Sequence, residues 1–523
     1  MRTSNARDDD SHPRDDDGDD DAHRPPPRLA AICFWNIVTE SAFPIAVLFE
    51  LAIVSHATGR NGLAAYAAVS ATFAYMINLV NFCVTVTMSL VGNAVGRRAW
   101  RELGFRVGVA LAAAVAASCV CAALLYALEE PVYRLMGLSA EVAATARTFY
   151  AIRLASVLPL LLRRVCTGVL GGYQRYVPLA TLSVGVAALE LASNYVALVP
   201  LAGGLPAATW ASCLTAAVGA AVALLVVVCL PPEDARGQIR IRLRFGDDGS
   251  RDMLGGDGGA DGVTVSLLAD VPVDADDAAN DEQTSPPQGA AAILREYVAA
   301  SGSMVVRSFL LSTSVWALGV AAANLGAAAL GAHAVVLQLW MVTSYICDGF
   351  ADAGTMLGAK LLGEKAHGRL LQLCNRLVAY GVVTGVVCGV GIWVAKPALF
   401  RLYFPAGAAG TAAAEERREE CALLSRVWPL LCGMQVVNAA VFVYDGLIYA
   451  TKSFAYVRNV MLGGCLGVFA PLLATAFVEG HTLLWIWAAK AVLNGWRLVW
   501  AVRLIHVVFR RQWVEGLEGD SDR

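Results

Sequence analysis

Carboxylates interrupt several of the longest apolar runs in this chain. Glu40 and Glu50 fall in the first run, Glu190 in the fifth, Asp348 and Asp352 in the eighth, and Asp445 in the tenth. A charge at the middle of a bilayer costs at least about 2.5–3.5 kcal/mol on insertion scales, so such groups face a wet cavity or a partner. Counted from the inner end of its run at 178, Glu190 stands about 18 Å deep at the rise of an α-helix, near mid-membrane. Asn194 lies one turn farther on the same helical face. A carboxyl so placed can carry a proton through the membrane. With an amide, hydroxyls or backbone oxygens beside it, it can hold Na⁺ instead. Bases occupy the same setting: Arg153 in the fourth run, Arg307 early in the seventh, Lys490 and Arg497 in the twelfth. Pairing of these acids and bases with one another is the competing reading, for Glu190 with Arg153 in particular. Glu50, near the outer end of its run, also fits an interfacial acid touching water.

The elements that must hold these residues are membrane helices. The 523 residues are 57% apolar and only 16% charged, with a mean hydropathy of +0.57. A span needs roughly 20 apolar residues. Long continuous runs rich in Ala, Leu and Val are helices, since only helices or closed barrels satisfy their backbone polar groups in lipid. The expected spans are 30–54, 63–92, 104–128, 143–165, 178–200, 206–230, 300–323, 329–358, 370–395, 422–448, 455–478 and 482–507, with Pro44 expected to kink the first. The fold class is an all-α polytopic membrane protein of twelve transmembrane helices in two six-helix lobes.

The halves repeat at a constant offset. Leu63-Ala-Ala-Tyr and Gly92-Asn-Ala-Val-Gly96-Arg-Arg in the first match Leu330-Gly-Ala-His and Ala359-Lys-Leu-Leu-Gly363-Glu-Lys in the second. The expected division is a cytoplasmic tail at 1–29, an N-lobe at 30–230, an acidic linker at 231–297, a C-lobe at 298–507 and a tail at 508–523. Tail and linker carry Asp runs with few aromatics, a composition that cannot bury enough to fold. Basic residues crowd alternate loops: Arg97, Arg98, Arg101 and Arg106; Arg163, Arg164 and Arg175; Arg236, Arg240, Arg242 and Arg244; Lys360, Lys365 and Arg369; Lys452 and Arg458; Arg510 and Arg511. That asymmetry places both termini and the linker in the cytoplasm.

A doubled bundle with a mid-membrane site between rocking halves is the architecture of secondary transporters. No nucleotide loop, nucleophile elbow or metal spacing is present, so an enzyme is not expected. The thirteen cysteines sit in or beside apolar runs and form no disulfide framework. No cofactor, metal or nucleic-acid partner is expected, and a monomer among membrane lipids is. Gln338 and Trp340, with Asp348, Asp352, Asp445, Arg153 and Arg307, are candidates for a cavity that takes a small organic substrate; core packing explains the aromatics equally well. His333 reads as a packing residue. Gly381, Gly385 and Gly389 form a small-residue stripe for close helix approach.

Over nearly all of 30–507 the chain resembles the MATE (multidrug and toxic compound extrusion) family, most of all its DinF-like branch. The pieces are Glu50-Leu-Ala-Ile-Val-Ser-His-Ala-Thr-Gly-Arg-Asn-Gly-Leu-Ala-Ala, then Tyr150-Ala-Ile-Arg153, Gly168-Val-Leu-Gly-Gly-Tyr-Gln-Arg-Tyr-Val-Pro-Leu179, Gly331-Ala-His333, Gln338-Leu-Trp340, Asp348-Gly349, Gly358-Ala-Lys-Leu-Leu-Gly363 and Asp445-Gly446-Leu-Ile-Tyr-Ala. The resemblance implies cation-coupled export through a central cavity, with H⁺ or Na⁺ as coupling ion. It also implies an N-lobe cation site from the first, fifth and sixth spans: Glu50, Glu190, Asn194, Thr209 and Ser212, with Thr215 as a further hydroxyl. The family's fifth-span pattern is Asn-x-x-x-Asp; here Glu190 and Asn194 exchange acid and amide, which moves the titrating group one turn. A major-facilitator transporter, a lipid-linked flippase of the same superfamily and a non-transporting receptor or scaffold are the alternatives.

Overall fold

The computed structural model describes residues 29–136, 140–232, 235, 240–245, 265–270, 289–403, 412–478 and 482–512. The acidic tail at 1–28, most of the linker and the residues after 512 lie outside the described set.

Eleven helices are long and apolar enough to cross a membrane, and a bent pair brings the number to twelve. The N-lobe holds α1 (Leu29–Leu79), α2 (Phe82–Gly96), α3 (Trp100–Leu135), α4 (Ala140–Leu154), α5 (Val157–Gly172), α6 (Tyr176–Leu198) and α7 (Gly204–Cys229). A two-stranded antiparallel ribbon follows, β1 (Arg240–Phe245) with β2 (Val265–Asp270). The C-lobe holds α8 (Ala290–Asn324), α9 (Ala327–Gly363), α10 (His367–Tyr403), α11 (Ala412–Ala450), α12 (Phe454–Gly464), α13 (Ala470–Val478) and α14 (Leu483–Val502). Short π-helical turns, Cys465–Phe469 and Arg503–Phe509, continue α12 and α14. The chain is an integral multi-pass membrane protein of two six-span lobes.

Four expectations change. The chain stays helical through the turn at 59–61, so α1 contributes to two spans, Leu29–Thr58 and Gly62–Gly96, and passes through Pro44 unbroken. The linker is not wholly without structure, because Arg240, Arg242 and Arg244 stand on β1, paired in register with β2. The C-lobe begins at Ala290 rather than 298, since Ala-Ala-Ala-Ile-Leu-Arg-Glu is a good helix start even though it is too polar to read as membrane. Finally, Arg163 and Arg164 are not loop residues. The fourth span is the pair α4 and α5, bent by 49° around residues 155–156, and it continues to Gly172. Both arginines therefore lie about 12–14 Å inside its end at a helical rise of ~1.5 Å per residue.

Small residues set how closely helices approach. A Cβ on Gly381 would meet Val443, one on Gly385 the backbone of Gln435 and Val436 at 2.8 Å, and one on Gly389 the backbone at Cys432, so α10 lies flush on α11 along the expected stripe. Gly385→Leu is expected to destabilise the protein by about 1–3 kcal/mol, the usual cost of overpacking. Thermal denaturation in detergent checks this; an unchanged melting curve would show that α10 can retreat freely.

The lobes meet through the repeat itself. A Cβ on Gly96 would strike the backbone of Lys360 and come within 3.0 Å of Gly363, and one on Gly363 would strike the carbonyl of Asn93. Gly96 and Gly363 are equivalent positions of the two halves, so the axis relating the lobes passes between them. Nearby, Gly92 faces Ala359, Ser89 Oγ donates to the Tyr449 carbonyl at 2.6 Å, and the Thr87 and Tyr297 hydroxyls share a hydrogen bond at 3.1 Å. Ile37 of α1 packs directly on Gly349 of α9, where a Cβ would come within 2.6 Å of it. These contacts all lie in the half of the molecule nearer the linker.

Candidate functional site

In the opposite half of the N-lobe, one acid gathers three helices. Glu50 on α1 is 9% exposed, and its Oε1 accepts a hydrogen bond from Asn194 Nδ2 on α6 at 2.7 Å. Asn194 is fully buried, and its Oδ1 accepts from Ser212 Oγ on α7 at 3.1 Å. Ser193 and Thr215 make a second hydroxyl bridge between α6 and α7 at 3.1 Å. The Tyr66 hydroxyl also reaches Glu50. Glu50 is thus enclosed, with an amide bonded to it and a phenol beside it.

Glu190 stands beside this cluster rather than in it. It is half-buried, lies within electrostatic reach of Glu50, Arg153 and Arg163, and has no ion pair within 4.0 Å among the described residues. The exchange of acid and amide accounts for this: the amide at 194 takes the inward position against Glu50, and the acid stays one turn back. Thr209 is buried but bonds the Leu205 carbonyl of its own helix at 2.7 Å. Arg153 does not lock Glu190. Its guanidinium lies 5.5 Å from the Phe73 ring centre and 5.4 Å from that of Phe149, and it donates to Ser70 Oγ at 3.3 Å. Arg163 stacks on Phe43 at 4.3 Å.

The remaining candidates fall into two further groups. Where α1 meets α9, the carboxyl groups of Glu40 on α1 and Asp352 on α9 lie next to each other, with Asp348 close by. Arg164 is near Glu40 and donates to Asn81 Oδ1. Glu40, Asp348 and Asp352 are half-buried. Deep in the C-lobe, Asp445 Oδ2 accepts from Arg497 Nη2 at 2.6 Å and from Arg307 Nη2 at 2.8 Å, and the Tyr449 hydroxyl donates to it at 3.3 Å. Asp445 and Arg307 are therefore a locked ion cluster, not free cavity groups. Gln338 is exposed on α9. Trp340 is 4% exposed in the C-lobe core under Lys490, whose Nζ lies 5.1 Å from the ring centre, so it does not line the space between the lobes. His333 is buried against Trp487 at 5.5 Å. Sequence reasoning did not place Tyr66, Arg164 or the Glu40–Asp352 contact in the site. Their only signal was polarity inside an apolar run.

Solved membrane proteins share this two-lobed fold. A family model described as MatE matches residues 37–196. Protein DETOXIFICATION 42 of Arabidopsis thaliana is 26% identical over 182 residues, 34% of this chain and 33% of that protein. DNA damage-inducible protein F of Escherichia coli (strain K12) is 23% identical over 224 residues, 42% of this chain and 44% of that protein. The matched part spans about a third of the length of the DETOXIFICATION relatives, 33% and 29% for numbers 42 and 43. A solved MATE structure in the bent conformation matches with a TM-score of 0.71 at 15% identity, over 95% of this chain and 96% of that one. A MOP superfamily transporter from Pyrococcus furiosus, described by the reverse polarity of its binding pocket, also reaches 0.71 at 15% identity, over 93% and 95%. The chain thus resembles MATE transporters over residues 37–196 and shares the fold of their solved structures.

Proposed function

We propose that this chain is a cation-coupled secondary antiporter of the DinF-like branch, exporting organic solutes or metabolites by alternating access as a monomer in lipid. The hydrogen-bonded chain Glu50–Asn194–Ser212 carries the reading, because it ties α1, α6 and α7 through one enclosed acid. A proton or Na⁺ arriving at Glu50 competes with Asn194 Nδ2 for Oε1. Freed from Glu50, Asn194 turns its amide and loosens α6 from α1. The Tyr66 and Ser212 hydroxyls and the Asn194 carbonyl are the oxygens at hand for an ion. Coupling follows if the ion and the solute bind the two lobe arrangements unequally.

The basic loops put the linker, and hence the joined half, on the cytoplasmic side. The lobes are then shut toward the cytoplasm, the arrangement that releases solute and takes up the ion outside. Glu40, Asp348, Asp352 and Arg164, with Gln338 farther along α9, are the side chains a solute would meet between the lobes.

Vesicles loaded with a fluorescent organic solute and given separate proton and sodium gradients test the proposal. Flux is expected to follow one gradient and to stop when it collapses; equal flux with and without gradients overturns coupling. Glu190→Gln is expected to weaken the ion's half-saturation by about tenfold while leaving maximal flux, since Glu190 adds field but no bond and ~1.4 kcal/mol is a tenfold change.

A further inference from the structure

At the linker end, one carboxylate is shared between the lobes. Glu296, in the first turns of α8, accepts from Arg106 Nη2 of α3 through Oε2 at 2.7 Å and from Lys452 Nζ through Oε1 at 3.0 Å. Arg106 belongs to the N-lobe, and Lys452 sits in the turn between α11 and α12. The Arg106 side chain is 2% exposed and is held from the other side by Glu102, whose Oε1 accepts from its Nε at 2.6 Å and from Arg97 Nη2 at 2.7 Å. Lys452 is in the left-handed region at φ 59°, with its turn closed by Lys452 and Ser453 amides bonding back to Tyr449 and Ile448. That fixed turn holds its ammonium over α8.

We propose that Glu296 is the latch of the linker-end gate: its bond to Arg106 holds the lobes shut there and must break each time the inter-lobe space opens toward the linker. The distribution of partners is what a reversible latch needs. When the lobes part, Arg106 keeps Glu102, and Glu296 keeps Lys452. No buried charge is stranded, whereas breaking an ordinary buried ion pair by loss of one partner is strongly unfavourable. Glu296 is 28% exposed and Arg106 2%, so salt reaches the latch from the Glu296 side and screens it in part. The Gly96–Gly363 contact supplies the close packing, and the latch supplies a polar bond that opens without leaving a buried charge unpaired.

The proposal presupposes lobes that move but needs no particular ion or solute, so it is tested by distance rather than flux. Spin labels on the two lobes at the linker end of the full chain, in nanodiscs, report the shut and open populations. Glu296→Gln is expected to raise the open fraction about tenfold. Raising salt from 0.05 to 1 M is expected to raise the open fraction of the unaltered protein by a smaller factor and to change Glu296→Gln little. Gly363→Leu, which forces the lobes apart sterically, marks the open distance. If Glu296→Gln does not yield folded protein, Lys452→Gln, in a half-buried turn, is expected to lower the open fraction instead, because the open state then loses the partner that Glu296 keeps. Distances unmoved by Glu296→Gln, or by Lys452→Gln where that replaces it, overturn the latch. So does a salt response retained in full by the altered protein.

Discussion

Glu50→Gln is expected to lower gradient-driven flux at least a hundredfold while leaving the protein folded. The amide oxygen of Gln can still accept from Asn194 Nδ2, and the volume is unchanged, so the Glu50–Asn194–Ser212 chain keeps its shape. What disappears is the charge. Two unit charges about 4 Å apart attract by roughly 4 kcal/mol at an effective dielectric constant near 20, nearly a thousandfold in affinity. Gln also cannot take up or give off a proton. The loss is therefore the same for either ion. Glu190→Gln makes the needed contrast, because it removes a carboxylate of similar depth that bonds nothing in the cluster. Flux and a melting curve measured on both proteins decide the matter. Retention of more than a tenth of the flux by Glu50→Gln would remove this acid from the coupling step, and a shared loss by both would point to general field effects instead.

The parts legible in the sequence were those written as periodic or repeated pattern. Hydropathy located most of the twelve spans within a few residues, though the fourth runs seven residues farther and the seventh begins ten residues earlier than expected, and the constant offset between Gly92–Gly96 and Ala359–Gly363 announced two equivalent lobes; the structure adds that these segments touch across the axis. Buried polarity singled out Glu40, Glu50, Glu190, Asp348 and Asp445 but not how they group. Grouping depends on which helix faces which, and neighbours in a bundle are not neighbours in sequence. Arg163 and Arg164 show the same limit from the other side. Counting basic residues grouped them with a loop at the end of a span expected to stop at 165, yet Val165–Gly172 is apolar enough to carry the span onward, and Phe43 and Asn81 supply the partners that make two mid-span arginines tolerable. Glu296 was invisible for a plainer reason. It lies in a stretch that reads as linker, and its significance comes entirely from Arg106, far away in the other half.

Asp445→Asn carries the largest expected effect on stability. The carboxylate is the one acid bonded to both Arg307 and Arg497, at 2.8 and 2.6 Å, with Tyr449 as a third donor. An amide offers one oxygen without charge, and its NH₂ points two further donors at a cluster already rich in them. Both guanidinium groups then lose their bonded counter-charge and keep only the more distant Asp348, a loss of about 3–5 kcal/mol by analogy with other broken buried pairs. Arg497→Gln should cost less, because Asp445 keeps Arg307, and Gln can still donate. A melting series in detergent, with Asp445→Asn below Arg497→Gln and both below the unaltered protein, is the expected order; the reverse order would mean that Arg497 and not Asp445 organises the cluster. Replacing all three at once, Asp445→Leu with Arg307→Met and Arg497→Met, separates folding from transport. Buried ion clusters exchanged wholesale for apolar residues are often neutral or stabilising, so this protein should melt near the unaltered one. If it also transports, the cluster serves only the fold. The expected result is a stable protein without flux, because α8, α11 and α14 would have lost the charged joint around which the C-lobe holds its side of the inter-lobe space.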